Sequence, residues 1–170
     1  WPWIIEKDLL ARARRAAINF HPGPPAYPGI GCTNFGIYNE ETEFGVTCHH
    51  MVPMVDSGNI IAVRRFALRK TDSVLDLSNR CYKHIFKLFK EILPCIINYT
   101  PLPKARESWT RRPYTRKELD ELCRVHLDMA ADEVARRVRA TTFPGAPGAF
   151  LDFHEFRFKY FHMTEEKPGS

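Results

Sequence analysis

Apolar and polar positions follow two rhythms along the chain. Val74, Leu77, Cys81, Ile85, Leu88 and Ile92 recur at helical spacing, which predicts a long amphipathic helix with Asp72 as its N-cap and Pro94 near its end. Leu9, Leu10 and Ala13 predict a shorter helix over Glu6 to Arg15. Elsewhere the period is two. Glu43 to Met51 reads as a strand, in which Thr47 and His49 share one face while Cys48 and His50 point the other way. Asn59 to Leu68 is apolar and β-branched, and predicts the hairpin partner of that strand. The short apolar run Ala17 to Phe20 predicts a buried strand of a βαβ type sheet, and Cys32 to Asn39 predicts a short helix.

Breaks in these rhythms mark the loops. Pro22 to Gly31 contains Pro22, Pro24, Pro25 and Pro28 with Gly23, Gly29 and Gly31, so it has little conformational freedom to lose and suits presentation of backbone to a ligand. Tyr99 to Pro113 is irregular. Thr115-Arg116-Lys117-Glu118 is a capping box opening a helix to about Cys123, and Asp128 to Arg139 predicts another with Val134 and Val138 on one face. A second Pro/Gly loop spans Phe143 to Gly148. Ala149 to Met163 then predicts a two-stranded ribbon, aromatic at Phe150, Phe153, Phe156, Phe158, Tyr160 and Phe161. The expected division is residues 1–98 as one unit and 99–170 as a C-terminal segment of two short helices and a β-ribbon.

Length and composition narrow the class. A chain of 170 residues with 44% apolar and 26% charged positions can bury a real core and is neither disordered nor fibrous. No apolar run approaches the roughly 18 residues that span a bilayer. Cys32, Cys48, Cys81, Cys95 and Cys123 form no Cys-x-x-Cys pair, which fits reduced thiols in a cytoplasmic protein. The formal charge of +5 is explained by solvated faces, with a phosphate-bearing substrate as the more interesting reading. No nucleic-acid motif accompanies it, so nucleic acid is not the expected partner, and neither is a membrane.

The candidate chemistry lies between Ala17 and Gly58. Asn19, His21, His49 and Asp56 are polar groups set at the ends of apolar runs, where α/β folds place their reactive side chains. A metal site is disfavoured, because adjacent histidines on a strand face opposite ways and no His-x-His or His-x3-His pair is present. A nucleophile is disfavoured too: Cys48 points to the core, and Ser57 lacks a Gly-x-Ser-x-Gly elbow. Taken singly, Asn19 reads as a cap and Asp56-Ser57-Gly58 as a plain turn.

Together, Asn19-Phe20-His21-Pro22, the Gly-containing loop, Gly45-Val46-Thr47-Cys48-His49 and Val55-Asp56-Ser57-Gly58-Asn59-Ile60-Ile61 resemble the folate-dependent formyltransferases. The resemblance covers about Trp1 to Leu93. It implies an α/β fold, the C-terminal part of a Rossmann-like domain with a mixed sheet and flanking helices, followed by a small α+β segment. It also implies Asn19, His21 and Asp56 as the catalytic trio, supported by His49 and Thr47, with 10-formyltetrahydrofolate as co-substrate and no metal. Trp3, Ile4 and Ile5, with Val52, Met54 and Val55, are then the expected folate contacts, and Tyr27 and Gly29 the expected substrate contacts. In the matching chemistry an amine attacks the formyl carbon, Asn19 and His21 donate to the oxygen that becomes negative, and Asp56 accepts the amine proton.

Departures from the family pattern point to the acceptor. Gly23-Pro24-Pro25-Ala26-Tyr27-Pro28-Gly29 is a residue shorter than the matching loop of the transfer-RNA enzymes and has Pro28 where they carry Arg. This loop and Arg139-Ala140-Thr141-Thr142-Phe143-Pro144 are closest to sugar N-formyltransferases, so a nucleotide-linked amino sugar is the expected acceptor. Methionyl-tRNA, another small amine, or a non-catalytic folate-binding module are the alternatives. The expected acceptor site is walled by the Tyr27 loop and the C-terminal segment, with Arg111, Arg112 or Arg116 near phosphates. In the family, further parallel strands and helices precede the segment matched by Trp1. The expectation is therefore a C-terminal part of a larger enzyme, with Ala17 to Phe20 as an uncovered edge strand, weak folate binding alone, and a homodimer.

Overall fold

The computed structural model describes residues 5–146 and 148–161. Trp3 and Ile4, expected to meet the folate, lie outside them, as does the end of the ribbon at Met163.

Three strands form the first sheet: β1 (Ile18–His21), β2 (Glu43–His50) and β3 (Ile60–Ala67), in the order β1-β2-β3 and antiparallel throughout. The expected βαβ relationship is thus corrected, since β1 runs against β2 with Asn19 opposite His49 and His21 opposite Thr47. Among the described residues β1 pairs on one side alone. Alternation along these strands divides the side chains cleanly. Phe44, Val46 and Cys48 of β2 are fully buried on the core face, and Phe20 of β1 meets Phe89 edge-on at 5.9 Å. Asn19, His21, Thr47 and His49 occupy the other face.

Ahead of β1 lies α1 (Lys7–Ala11), shorter than the expected Glu6 to Arg15, and between β1 and β2 lies α2 (Cys32–Tyr38). The long helix α3 (Val74–Ile97) buries Val74, Leu77, Cys81, Leu88 and Ile92 against the core face. Each such Leu or Ile contributes roughly 1.5–3 kcal/mol by leaving water. Two details depart from expectation. Ser73, not Asp72, caps α3, in a capping box with Asp76. Asp72 instead accepts from the Arg69 N–H and the Arg80 guanidinium, so its carboxylate is committed before the helix begins. Pro94 lies inside α3, which continues to Ile97.

The C-terminal part contains α4 (Arg116–Cys123), β4 (Arg124–Val125), α5 (Ala131–Thr141), β5 (Phe150–Phe153) and β6 (Phe156–Lys159). The expected ribbon is β5-β6, joined by a parallel β4 that two residues of sequence could not announce. Helix α5 starts at Ala131 rather than Asp128 and ends two residues beyond Arg139. Leu122 and Ala140 reach the common core. The irregular stretch before α4 is tied to the first sheet and to the Pro-rich loop: Ala105 N–H donates to the Ile60 carbonyl of β3, and Tyr114 N–H to that of Pro28. Among the described residues no helix is long and apolar enough to cross a membrane.

Candidate active site

The side chains of Asn19, His21, Thr47 and His49 converge because they share one sheet face, and the β2–β3 register shifts between Cys48 and His49, leaving Ile61 as the extra residue on β3. Asp56 comes from the β2–β3 connection, whose backbone is left-handed at this residue (φ 43°). Such a backbone at a non-glycine residue is strained and needs its surroundings to hold it. The hold comes from three sides. Asp56 Oδ2 accepts from Gly29 N–H at 2.8 Å and lies 3.1 Å from His21 Nδ1, while Oδ1 lies 3.2 Å from His49 Nε2.

Each histidine has a second tie. His21 Nε2 is 2.7 Å from the Tyr27 carbonyl, and His49 Nδ1 is 2.8 Å from the His50 carbonyl. With Nδ1–H spent on a carbonyl, His49 Nε2 has two neighbours to choose between, for Asn19 Nδ2 also lies 3.2 Å away. Unprotonated, Nε2 accepts from Asn19; protonated, it donates to Asp56. The position of one proton thus links the amide to the carboxylate. Thr47 turns its hydroxyl to the Gly23 carbonyl at 2.8 Å, pinning the Pro-rich loop to the sheet.

Burial and charge set the protonation states. His21 is 4% exposed and Asp56 7%. Burial pulls the His21 imidazole below its ordinary value, against the Asp56 carboxylate and the Tyr27 carbonyl, which favour the charged ring. For Asp56, burial pushes upward, yet the hydrogen bond with His49, the His21 charge and the Gly29 N–H outweigh it and hold the carboxyl below its usual range. The group is therefore ionised at neutral pH and able to take a proton.

A cavity of about 230 Å³ opens on this cluster, lined by Asn19, His49 and Asp56, with Ile5, Val52, Met54 and Val55 among its walls. All four of those apolar residues were expected folate contacts, and Met54 is 66% exposed. His21 is absent from the lining and lies behind Asp56. The structure corrects the expected placement of Tyr27. Its ring is in the core, and its hydroxyl donates to Glu41 at 2.5 Å and accepts from Asn39 at 2.9 Å. Gly29 is committed to Asp56 through its N–H, with φ at 87° and the Tyr114 backbone so close that a Cβ would meet it at 2.4 Å. Of the arginines, Arg111 stacks 3.2 Å over the Tyr114 ring, and Arg111 and Arg112 both bind Glu118. Arg116 lines a different cavity.

Two residues of this neighbourhood went unforeseen. Trp109 meets the rings of His21 and His49 edge-on at 5.9 and 5.1 Å, and its indole N–H donates to the Gly58 carbonyl at 2.8 Å. Tyr114 stacks on Phe35 at 3.8 Å and bridges Gly29 through its backbone. Both lie in the irregular stretch before α4, where no periodicity marks them.

Comparison with known proteins follows the same outline. The formyl transferase family model matches residues 1–93. A sugar N-formyltransferase from Shewanella sp FDAARGOS_354 superposes with a TM-score of 0.78 at 20% identity, covering 95% of this chain and 66% of that one. The N-formyltransferase from Helicobacter canadensis, solved with folinic acid and dTDP-3-aminofucose, gives 0.61 at 24% identity, covering 84% and 61%. WlaRD, a sugar 3N-formyl transferase solved in the presence of dTDP and 5-N-formyl-THF, gives 0.65 at 26% identity, covering 82% and 51%. The chain spans at most 66% of the length of these three structures.

Proposed function

The chain belongs to the formyl transferase family, and from that premise we propose that it transfers a formyl group from 10-formyltetrahydrofolate to the primary amine of a nucleotide-linked amino sugar. The observation that carries the reading is the convergence of Asn19, His49 and an ionised Asp56 on one small cavity with an apolar rim. Formyltransferases of the same fold were solved with folinic acid and dTDP-3-aminofucose, and with 5-N-formyl-THF and dTDP, which supports both the donor and the acceptor class.

Ile5, Val52, Met54 and Val55 fit the flat ring of a reduced folate, since they offer exposed apolar surface beside polar groups. The folate supplies an activated formyl carbon; this chain's residues handle charge and protons. Asn19 carries two amide N–H groups, so the bond to His49 leaves one for the oxygen that becomes negative as the amine attacks. Asp56 takes the amine proton and returns it to the departing folate nitrogen, so no proton is gained or lost overall. His21 and the Gly29 N–H hold the carboxylate ionised and aimed from behind.

Formyl-transfer assays on a panel of amino sugars test the proposal. Asn19→Ala and Asp56→Ala are each expected to lower kcat about 100- to 1000-fold with the fold intact by circular dichroism. Binding of a stable folate analogue by calorimetry, with no turnover on any amine, would favour the binding-module reading. Near-normal rates in both variants would end the catalytic assignment.

A further inference from the structure

The irregular stretch between α3 and α4 is a strap over the loops that carry the site. Ala105 N–H donates to the Ile60 carbonyl at 3.1 Å, Thr110 N–H to Pro25 at 3.2 Å and Tyr114 N–H to Pro28 at 2.8 Å, while Ile30 N–H donates to Tyr114 at 3.1 Å. These ties flank Trp109 on both sides and fix where its half-buried side chain can reach.

Trp109 meets the cluster in two ways. Its ring stands edge-on to His21 and His49, and its indole N–H donates to the Gly58 carbonyl at 2.8 Å. Gly58 is where the β2–β3 connection returns to the sheet. There His50 N–H donates to the Asn59 carbonyl at 2.9 Å, and a Cβ on Gly58 would lie 1.9 Å from the His50 carbonyl oxygen. That same carbonyl accepts from His49 Nδ1. The indole therefore fixes the exit of the turn two residues beyond Asp56, against the backbone that orients His49. Asp56 needs such a hold. Its backbone is left-handed, and its carboxylate is aimed at His21, Gly29 and His49 from three different directions. Hydrogen bonds weaken steeply as their angles open, so a turn free to relax would lose that aim.

We propose that Trp109 is a positioning residue for formyl transfer, aiming Asp56 through Gly58 and steadying His49 through its ring edge. The inference rests on the reaction proposed above. Trp109 is not among the residues lining the cavity, so it acts through its neighbours and not on the substrate. The family model ends at residue 93; the aim of Asp56 is supplied from beyond it.

Two readouts test this on the purified chain. In steady-state formyl transfer, kcat should fall about 100-fold in Trp109→Ala and about tenfold in Trp109→Phe, which keeps a ring but loses the Gly58 bond, with KM for folate and amine within about twofold. Ile92→Val, a core loss on the opposite face of the sheet, should lower the melting temperature and leave kcat unchanged. Amide hydrogen exchange needs no turnover. In Trp109→Phe, exchange at Gly29, whose N–H binds Asp56, should quicken about tenfold more than at Val46 in the β2–β3 ladder. An unchanged kcat in Trp109→Ala, a loss carried by KM, or equal quickening at Gly29 and Val46 overturns the inference. If the unaltered chain formylates no amine, the reading of the reaction fails, and the exchange comparison alone decides whether Trp109 aims Asp56.

Discussion

Trp109 is the residue whose removal says most about how the histidine cluster is built. Trp109→Ala deletes two edge-on ring contacts, at 5.9 Å to His21 and 5.1 Å to His49, and the 2.8 Å hydrogen bond to Gly58. At about 0.5–1.5 kcal/mol for each ring pair and a similar amount for the hydrogen bond, the loss comes to roughly 2–4 kcal/mol of unfolding free energy. Trp109→Phe keeps the ring contacts and loses only the bond, so about 1 kcal/mol is expected. Urea unfolding measures both. A second readout follows from burial, the largest cause of the lowered His21 pKa. Stripping away the indole admits water, so the His21 titration should climb back toward 6.5 in the alanine variant, visible in the NMR shift of its ring proton. A loss under about 0.5 kcal/mol with an unmoved His21 titration would refute this account of the cluster.

Two further predictions concern backbone and pH. Gly29→Ala places a Cβ against the Tyr114 backbone at φ 87°, so it should cost at least the roughly 1–2 kcal/mol of a left-handed residue and lower formyl transfer more than tenfold by moving the Asp56 donor. Gly145→Ala, also at positive φ but with nothing within 4 Å, is the control that should leave the rate unchanged. Acid should destabilise the fold in two stages. The His21 pKa is depressed, so the folded state refuses a proton that the unfolded chain accepts, and stability falls as pH drops below about 6.5. Asp56 is also depressed; its contribution is complete above the unfolded value of about 3.9 and is lost as pH falls through the lower folded value. A melting temperature that rises between pH 7 and pH 5 would contradict the His21 sign, and one that rises as pH falls below about 3.9 would contradict the Asp56 sign.

How far the sequence showed this molecule depends on the range of the interaction concerned. The buried stripe of α3 and the two faces of β2 were legible because helix and strand periods are local, and Val74 to Ile92 and Thr47 to His49 occupy the expected faces. Asn19 and His49 could be paired in thought only through family resemblance; in the structure they are cross-strand neighbours. Tyr27 misled because an aromatic in a Pro-rich loop looks like a ligand contact. Its hydroxyl finds Glu41 and Asn39, which lets the ring enter the core. Asp72 misled for a related reason: two plausible caps stand side by side, and Arg80 decides between them. Trp109, Tyr114 and the parallel β4 carry no local signal at all, since each is defined by a partner distant in the chain.

The bridge between Gly29 and Tyr114 also sets an order of events. The β2–β3 hairpin joins near neighbours and closes a short loop, whereas the donor that fixes Asp56 is braced by a segment many residues further on. Loops of that length close at a greater entropic cost and later in folding. During synthesis, then, Asn19, His21 and His49 can already lie on their sheet while the carboxylate between them still lacks its brace. The catalytic cluster becomes complete only once residues 109 to 114 have left the ribosome and docked.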